Sequence, residues 1–349
     1  MVKALVLAGG SGTRFWPVSR RQRPKQLLSL EGGPSLLQAT VERLEPLVDP
    51  SSVWVCTTEA LSRQVQEQLP LVPENQILAE PAGRNTAPAI GWSLRSMPMD
   101  ERDEVVVVLP ADHRIEDHDA FRRTLETAER ITREGDRVMT LGVQPVRPDT
   151  GYGYLELGRR LEPESGLRQV LRYKEKPDQA TAERFVASGD YLWNAGIFLF
   201  RAGRLLELLE VHQPEIARGL EAIERRPEQI GDLYPNLPPI SIDFGVMEHL
   251  DDVVTLPLDC GWSDLGSWDA LAEILPRDAN GNVTKGEVIS VDCQDNLLYA
   301  EEGIVAALGI EGLVVVKTRD SVLVVPKDRT QEIRDIVAAL EDRGLTPLL

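Results

Sequence analysis

The chain has 349 residues, of which 42% are hydrophobic and 27% are charged, and these proportions are those of a folded globular protein. Its formal net charge of -18 argues against nucleic acid as a partner, because an acidic surface repels phosphate groups. No apolar run reaches the ~18 residues of a membrane helix, and three widely spaced cysteines disfavour a disulfide framework or a zinc site and suit a reducing cytoplasm.

Short β-branched runs alternate with helix-like segments in the first half of the chain. The runs predict strands over 2–8, 52–57, 105–110 and 137–143. The intervening segments predict helices over 35–46, 59–69, 84–97 and 119–134. This βαβα order predicts an α/β fold with a Rossmann-like, mostly parallel mixed sheet and flanking helices. Ligands of such sheets bind beyond the carboxyl ends of the strands.

The C-terminal part of the chain has a different pattern. Residues 286–326 contain short apolar runs separated by turns, with little room for helices, and they predict stacked rungs or a small sandwich. An amphipathic helix is predicted to follow over about 328–343. We therefore expect a large domain over residues 1–270 and a small β domain with a terminal helix over residues 280–349.

The loop after the first strand combines a glycine turn with a cluster of basic residues. No acidic residue lies among its five basic residues, which are Arg14, Arg20, Arg21, Arg23 and Lys25. On an acidic protein this cluster suggests a small anionic ligand, and a solvated run of charges is the alternative. The glycines at positions 9, 10 and 12 let backbone N–H groups approach an anion. The loop matches neither the P-loop nor the dinucleotide-binding fingerprint.

A series of motifs extends from this loop to residue 268. They are LAGGSGTRFWPVSRRQRPKQL (7–27), EPAGRNTAPAI (80–90), LPADH (109–113), GYGYLE (151–156), KEKPD (174–178), WNAGIFLF (193–200) and WSDLGSW (262–268). Together they resemble the sugar-1-phosphate nucleotidylyltransferases, and Trp16 with the RPKQ of 23–26 is most similar to the mannose-1-phosphate guanylyltransferase branch. The C-terminal part resembles the short left-handed β-helix of the monofunctional members. From the chain's length we expect the additional isomerase domain of bifunctional relatives to be missing.

The resemblance implies a reaction and a catalytic group. The reaction transfers GMP from GTP to mannose 1-phosphate, with Mg²⁺ as cofactor, and yields GDP-mannose and pyrophosphate. Asp112 and Asp264 would hold the Mg²⁺, Arg14 would bind the β- and γ-phosphates, and Lys25 would lie between the α-phosphate and the sugar phosphate. Taken alone, Asp112 is equally well explained as a helix N-cap. The sequence DHRIEDHD around it looks only superficially like a zinc site.

The resemblance also implies two sets of binding residues. The nucleotide-binding set is Leu7, Ala8, Gly9, Gly10, Gly12, Thr13, Glu80, Gly83, Arg84, Asn85 and Thr86. The sugar-binding set is Gly153, Glu175, Lys176, Asn194 and Gly196. Carboxylate and amide groups suit vicinal hydroxyls. The aromatic residues Tyr152, Trp193 and Trp262 fit a pocket wall and the core equally well.

Three other functions compete with this interpretation. The same fold with another specificity would transfer uridylyl, thymidylyl or adenylyl groups to glucose 1-phosphate. A regulatory subunit that senses nucleotide sugars would be expected to lose Arg14, Lys25, Asp112 or Asp264, and all four are present. A structural β-rich protein leaves the N-terminal motifs without a purpose. We expect a cytoplasmic homodimer that binds neither nucleic acid nor membranes.

Overall fold

The computed structural model describes residues 2–10 and 12–349. The chain forms two compact units, each built from several segments. Unit 1 contains residues 2–9, 38–111 and 115–262, and unit 2 contains residue 10 and residues 12–37, 112–114 and 263–349.

The strands and helices of unit 1 alternate along much of the chain. The strands are β1 (Lys3–Leu7), β2 (Val53–Thr58), β3 (Ile77–Glu80), β4 (Val105–Pro110), β5 (Met139–Val143), β6 (Gly153–Glu162), β7 (Leu167–Glu175), β8 (Tyr191–Arg201) and β9 (Val254–Pro257). The helices are α1 (Leu36–Glu42, which begins in unit 2), α2 (Glu59–Gln68), α3 (Thr86–Ser96), α4 (His118–Gly135), α5 (Gln179–Ser188), α6 (Ala202–His212), α7 (Pro214–Arg225), α8 (Ile230–Leu233) and α9 (Ile242–Gly245).

The nine strands form one sheet in the order β3-β2-β1-β4-β8-β5-β9-β7-β6. Neighbours among β3, β2, β1 and β4 are parallel, whereas β8 runs antiparallel to both β4 and β5. Leu7 is in register with Cys56 on one side and Pro110 on the other. The sheet is therefore parallel over its first four strands and mixed beyond them, and β1, β2 and β4 end at the same edge.

A large apolar cluster joins this sheet to several helices. Leu5, Val106 and Phe198 contribute from the strands, and Ile90 of α3 and Leu209 of α6 contribute from the helices. Each of these side chains is almost completely removed from water, and burial of apolar surface is the main favourable term in folding. Helix α7 adds Ile216, Leu220 and Ile223, and α9 adds Ile242.

Unit 2 contains a second, smaller sheet. Its strands are β10 (Val283–Val291), β11 (Leu297–Leu308), β12 (Leu313–Lys317) and β13 (Val322–Pro326), and its helices are α10 (Trp268–Ile274) and α11 (Ile333–Asp342). Strands β10, β11 and β12 are parallel neighbours, and β13 runs antiparallel to β12. Val283 lies opposite Leu297, which lies opposite Val314, so the chain stacks successive rungs. Residues 283–349 are called the tail below.

The predicted α/β class and the β-helix-like C-terminal part are both confirmed. All the strands and helices predicted in the first half of the chain are present, with ends shifted by a few residues at most. Among residues 2–10 and 12–349, no helix combines the length and apolarity that crossing a bilayer requires.

Candidate active site

The segment after β1 folds back on itself. Gly12 has a left-handed backbone, with φ of 58°, and a 3₁₀ turn over Thr13–Phe15 follows it. A second 3₁₀ turn covers Lys25–Leu27. The Ser19 hydroxyl donates to the Gly12 carbonyl at 2.7 Å, which ties the middle of the segment to its start. Residues 12–27, called the signature loop below, are therefore shaped by their own hydrogen bonds.

A cavity of about 290 Å³ lies beside the signature loop in unit 2. It brings together the four residues for which the resemblance implies a catalytic role, Arg14, Lys25, Asp112 and Asp264. The rest of its lining is Gly12, Thr13, Phe15, His113 and Gly266. The four residues come from three separate chain segments, so tertiary structure and not local spacing creates the cluster.

Lys25 is the buried cation of this cavity, with only 5% of its side chain exposed. Its Nζ donates to Asp112 Oδ2 at 2.9 Å and to the Asp264 carbonyl oxygen at 2.5 Å. The ammonium also lies over the Phe15 ring, 5.7 Å from its centroid. A buried charge needs such partners, and they fix Lys25 between the two acidic residues.

The two acidic residues have different surroundings. Burial raises the pKa of Asp112, but the charges of Lys25 and His113 outweigh it and hold that pKa below its usual value. Asp112 therefore carries its negative charge at neutral pH. Asp264 Oδ1 accepts a hydrogen bond of 3.0 Å from the Gly266 backbone N–H, which orients its carboxylate within the loop.

The donor set of the cavity fits Mg²⁺ better than zinc. Asp112 and Asp264 supply carboxylate oxygens on one cavity, and Mg²⁺ is commonly held by one or two carboxylates together with substrate phosphates. Across residues 2–10 and 12–349, no three His, Cys, Asp or Glu side chains are grouped to hold a metal ion.

The basic residues of the signature loop separate into two groups. The side chain of Arg14 is exposed and makes no hydrogen bond or ion pair with another residue that the structure describes. The other three arginines are instead ion-paired with acidic residues of the tail. The pairs are Arg20 with Asp320, Arg21 with Glu341 and Arg23 with Glu301. The interpretation of the whole basic cluster as an anion site is therefore wrong for these three arginines, which hold protein carboxylates.

The backbone groups at the end of β1 are mostly hydrogen-bonded to other groups of the protein. The Leu7 carbonyl accepts from Ala111 N at 3.0 Å, and Ala8 N donates to the Cys56 carbonyl at 2.7 Å. The Gly10 carbonyl accepts from the Gln26 amide at 2.9 Å. A Cβ at Gly9 would lie 3.4 Å from Glu80 Oε2, so glycine leaves space beside that carboxylate.

Glu80, at the end of β3, is a buried acid. Its Oε1 accepts a 2.5 Å hydrogen bond from the Tyr234 hydroxyl. Burial raises the pKa of Glu80, and the hydrogen bond from Tyr234 offsets part of the rise. Tyr234 was not predicted, because it lies in an irregular stretch with no motif and its sequence signal is that of a tyrosine among turn-forming residues.

The loop after β3, which carries the remaining predicted nucleotide-binding residues 83–86, has structural partners within the protein. Asn85 has a positive φ of 66° and caps α3, its side chain accepting from Thr86 N at 2.8 Å. The Thr86 hydroxyl accepts from Ile242 N at 2.8 Å, and the Arg84 guanidinium donates to the Pro235 carbonyl. Gly83 is exposed. The loop is therefore braced against the segment around α9.

Glu175 and Lys176 of the predicted sugar set are adjacent and ion-paired. Lys176 Nζ lies 2.7 Å from Glu175 Oε1. Burial raises the pKa of Glu175, and Lys176 offsets part of the rise. A Cβ at Gly153 would lie 2.5 Å from Glu175 Oε2, so the glycine leaves space for that carboxylate in its present position. Lys176 has a left-handed backbone, with φ of 43°.

Asn194 is held by a buried hydrogen-bond network. Its Oδ1 accepts from the Thr140 hydroxyl at 2.6 Å and from Gly196 N at 3.2 Å. Its Nδ2 donates to the Tyr173 hydroxyl and, at 3.2 Å, to Asp243 Oδ1. Tyr173 and Asp243 were not predicted, although SIDFGVME (241–248) carries two acids beside an apolar pattern. The network fixes which way the Asn194 amide faces.

Three aromatic residues whose role the sequence left open form a connected wall. The Tyr152 ring meets those of Trp193 and Trp262 edge to face, with centroids 4.9 and 5.6 Å apart. Trp193 is buried, whereas Tyr152 and Trp262 are partly exposed. The wall is therefore buried at Trp193 and partly open to solvent at Tyr152 and Trp262.

Comparisons with known families agree with this geometry. Residues 3–281 match the Nucleotidyl transferase family, and residues 286–340 match the MannoseP isomerase/GMP-like beta-helix domain. Because the first match covers most of the chain, the chain belongs to the nucleotidyl transferase family of enzymes.

Individual relatives resemble the chain over nearly all of its length. Mannose-1-phosphate guanylyltransferase of Escherichia coli is 40% identical, covering 97% of this chain and 73% of the relative. Alginate biosynthesis protein AlgA of Pseudomonas aeruginosa is also 40% identical, covering 97% and 72%. A solved structure from Thermus thermophilus, described as a "mannose-1-phosphate geranyltransferase", has a TM-score of 0.89 at 39% identity and covers 97% of this chain and 99% of its own.

Proposed function

We propose that the chain transfers GMP from GTP to mannose 1-phosphate and releases pyrophosphate and GDP-mannose. The observation that carries the proposal is the cavity in which Lys25, Asp112 and Asp264 are joined by hydrogen bonds with Arg14 at the edge. Cations and metal-binding carboxylates around one cavity suit phosphoryl chemistry. The choice of guanine and mannose is supported by the name of the Escherichia coli relative.

The chemistry requires positioning more than a base. A sugar phosphate has a second pKa of roughly 6, so at neutral pH it is mostly a dianion and already a nucleophile. Its oxygen attacks the α-phosphorus of GTP in line, the bond to the β-phosphate oxygen breaks, and pyrophosphate leaves with the electron pair. The main barrier is the repulsion between two polyanions, which fixed positive charges reduce.

The cavity supplies these charges at defined places. Lys25, held from two sides, would lie against the α-phosphate and the incoming sugar phosphate. The guanidinium of Arg14 suits the β- and γ-phosphates and the departing pyrophosphate. Asp112 and Asp264 would hold Mg²⁺, which when bound neutralises phosphate charge as a Lewis acid. No residue of the cavity has to remove a proton.

Recognition of the base and the sugar is proposed for Glu80 and for residues of the predicted sugar set. A carboxylate accepts hydrogen bonds from two donors, as the N1 and N2 groups of guanine provide, so Glu80 is the proposed guanine contact. Glu175 would bind sugar hydroxyls, Asn194 would do so by exchanging one of its present hydrogen bonds to Tyr173 or Asp243, and Lys176 would bind the sugar phosphate. Gly153 and Gly196 would let the sugar ring approach the backbone.

We further propose that the chain is a cytoplasmic homodimer that forms through its tail. The tail exposes the apolar side chains Ile289, Val291, Ile304, Leu308, Val322 and Val324. Exposed apolar surface of this kind is typical of protein contacts. The described cysteines are all free thiols, as suits a reducing compartment. Light scattering at working concentration tests the dimer, and a monomeric mass would contradict it.

The test of the function is a substrate panel with Mg²⁺. The purified protein would be incubated with mannose 1-phosphate or glucose 1-phosphate and each of GTP, UTP, dTTP and ATP, and pyrophosphate release would be followed. Release confined to GTP with mannose 1-phosphate is the expected result. Release with another pair would support the proposed reaction type but contradict the proposed specificity for GTP and mannose 1-phosphate. Binding of GDP-mannose without release by any pair would identify a regulatory protein.

A further inference from the structure

The side chain of Arg20 joins the signature loop to the tail. Its Nη2 donates to Asp320 Oδ1 at 2.7 Å and to the Ser321 hydroxyl at 3.1 Å, and its Nη1 donates to the Leu348 carbonyl. Its Nε donates to the Pro17 carbonyl at 2.7 Å, within the loop itself. All three guanidinium nitrogens therefore have protein partners, and only 16% of the side chain is exposed.

Trp16 reinforces the same attachment. Its indole N–H donates to the Leu348 carbonyl at 2.8 Å, and the Arg20 guanidinium lies 5.5 Å from the ring centroid. The Trp16 carbonyl accepts from the Trp268 indole N–H at 3.2 Å. One carbonyl of the tail thus receives donors from two residues of the loop, and α10 donates to the loop in return.

A stack of side chains continues from this attachment to the cavity. The Phe15 ring lies 5.1 Å from the Trp268 ring, which lies 5.3 Å from the ring of Tyr299 on β11. The Lys25 ammonium lies over the other end of the stack, on Phe15. The position of Lys25 consequently depends on packing that extends into the tail.

Arg14 depends on the loop in a second way. It lies in the same 3₁₀ turn as Phe15, between the left-handed Gly12 and Trp16. Because its guanidinium is bound to no other described residue, its reach depends on the position of the turn from which the side chain extends. A shift of about 1 Å in a positioning group costs on the order of a hundredfold in rate.

We propose that Arg20 and Asp320 are positioning residues for the transfer reaction, which clamp the signature loop onto the tail so that Arg14 and Lys25 keep their places. This inference rests on the proposed function. It gives the tail a part in catalysis within one chain, in addition to any contact between copies. Neither residue would touch a substrate.

The test compares Asp320→Asn and Arg20→Ala with a matched control. Asp295→Asn removes a carboxylate that is also in the tail, also 50% exposed and also ion-paired, but with Lys327 and Arg277 instead of a loop residue. We expect kcat to fall about threefold in Asp320→Asn and about tenfold in Arg20→Ala, with a higher KM for GTP. The control should keep the wild-type kcat and KM, even if its thermal midpoint falls by as much as that of Asp320→Asn.

Trypsin cleavage after Arg20 or Arg21 supplies a readout that does not depend on activity. Asp320→Asn leaves every trypsin site of the loop unchanged, so its rate compares directly with wild type. We expect cleavage there to be about threefold faster in Asp320→Asn and unchanged in Asp295→Asn.

The outcomes separate the two proposals. A wild-type chain that is inactive with every substrate pair would overturn the proposed function. An active wild type, with kcat and KM unchanged in both clamp variants and only a lower thermal midpoint, would overturn the positioning role. If Arg20→Ala does not fold, Asp320→Asn alone decides the question, because it keeps a neutral hydrogen-bond acceptor at the same place.

Discussion

Gly12 lies so close to Lys25 that no side chain fits between them. A Cβ at residue 12 would fall 2.5 Å from the Lys25 Cβ and 2.8 Å from the Lys25 backbone nitrogen. The Gly12 backbone is also left-handed, a conformation that glycine adopts without steric cost. The start of the signature loop and its catalytic end can therefore touch only because residue 12 is glycine.

Gly12→Ala is expected to lower kcat by about a hundredfold. The added methyl group must push the Lys25 backbone away, and displacement of a positioning group by about 1 Å has an effect of this order. Steady-state pyrophosphate release with GTP and mannose 1-phosphate measures the change.

Gly309→Ala is the control for backbone strain alone. Gly309 has a similar φ of 66°, but a Cβ there would meet nothing within 4 Å. Its variant should lose about 1 kcal/mol of stability and keep its kcat. Equal losses of kcat in the two variants would show that strain, and not contact with Lys25, is responsible.

Replacing Lys25 should impair chemistry more than binding. We expect Lys25→Gln to lower kcat by about a thousandfold, because the ammonium would stabilise charge that develops at the α-phosphate. Lys25→Arg should fail to rescue, since the planar guanidinium does not fit the buried position between Asp112 and the Asp264 carbonyl. Single-turnover rates with saturating GTP measure the step. Recovery of most of the rate by arginine would show that charge alone suffices.

Removal of the metal should abolish pyrophosphate release, and loss of one proposed ligand should raise the Mg²⁺ concentration that the reaction needs. EDTA is expected to stop the reaction, with recovery on excess Mg²⁺. Asp264→Asn should raise the Mg²⁺ concentration for half-maximal rate by at least about tenfold, the order seen when even an outer-shell partner is lost. A Mg²⁺ titration measures it, with Asp295→Asn as the control. An unchanged midpoint would remove Asp264 from the metal site.

The parallel half of the sheet was predictable because its strands carry their own signal. Val105–Pro110 is apolar throughout and buried, so its pattern alone indicates a strand covered on both faces. The position of β8 between β4 and β5 was not predictable, since insertion of an antiparallel strand depends on pairing between residues such as Val108 and Phe198 that are 90 positions apart. Hydrophobic pattern defines an element, and long-range packing selects its neighbour.

The residues of the candidate site also divide into those that the local sequence indicates and those that depend on distant parts of the chain. Arg14 and Lys25 share one motif, but Asp264 could be assigned only through the family resemblance, because nothing local distinguishes it. Arg20 was misinterpreted because its partner Asp320 is 300 positions away. A basic residue beside a glycine turn has the same local sequence whether it binds phosphate or a protein carboxylate.

Glu80 should make stability depend on pH. Its pKa is raised in the folded protein by burial, so the native state keeps the proton to a higher pH than the unfolded chain does. Its contribution to stability is therefore fully present below the unfolded pKa of about 4.3 and is lost as pH rises through the folded value. Glu80→Gln should lose this dependence while keeping an acceptor for the Tyr234 hydroxyl.

Thermal midpoints at pH 5 and pH 7 test this prediction. The thermal midpoint of Glu80→Gln minus that of wild type should be larger at pH 7 than at pH 5. Glu67→Gln is the control, because Glu67 lies on the exposed face of α2. Its thermal midpoint should differ from that of wild type by the same amount at pH 5 and at pH 7. A difference for Glu80→Gln that stays constant across the range would mean that the carboxyl group has the same pKa in both states.

Asn296 should be the most sensitive polar residue of the tail. It is completely buried, its Nδ2 donates to Asn282 Oδ1 at 3.0 Å and to the Ile310 carbonyl at 2.9 Å, and its Oδ1 accepts from Leu313 N at 2.9 Å. One side chain thus links three successive rungs. Asn296→Ala leaves buried polar groups without partners, and each such group costs about 1–3 kcal/mol.

We expect Asn296→Ala to lower the free energy of unfolding by about 3 kcal/mol, measured by chemical denaturation. Asn236→Ala is the matched control, because that amide is exposed and donates a single 2.7 Å hydrogen bond to the Asp232 carbonyl. It should change stability by less than about 0.5 kcal/mol. Equal effects in the two variants would contradict the rung-linking role. A large loss at Asn296 alone, accompanied by faster cleavage in the signature loop, would show that the rungs support the loop as well as the tail.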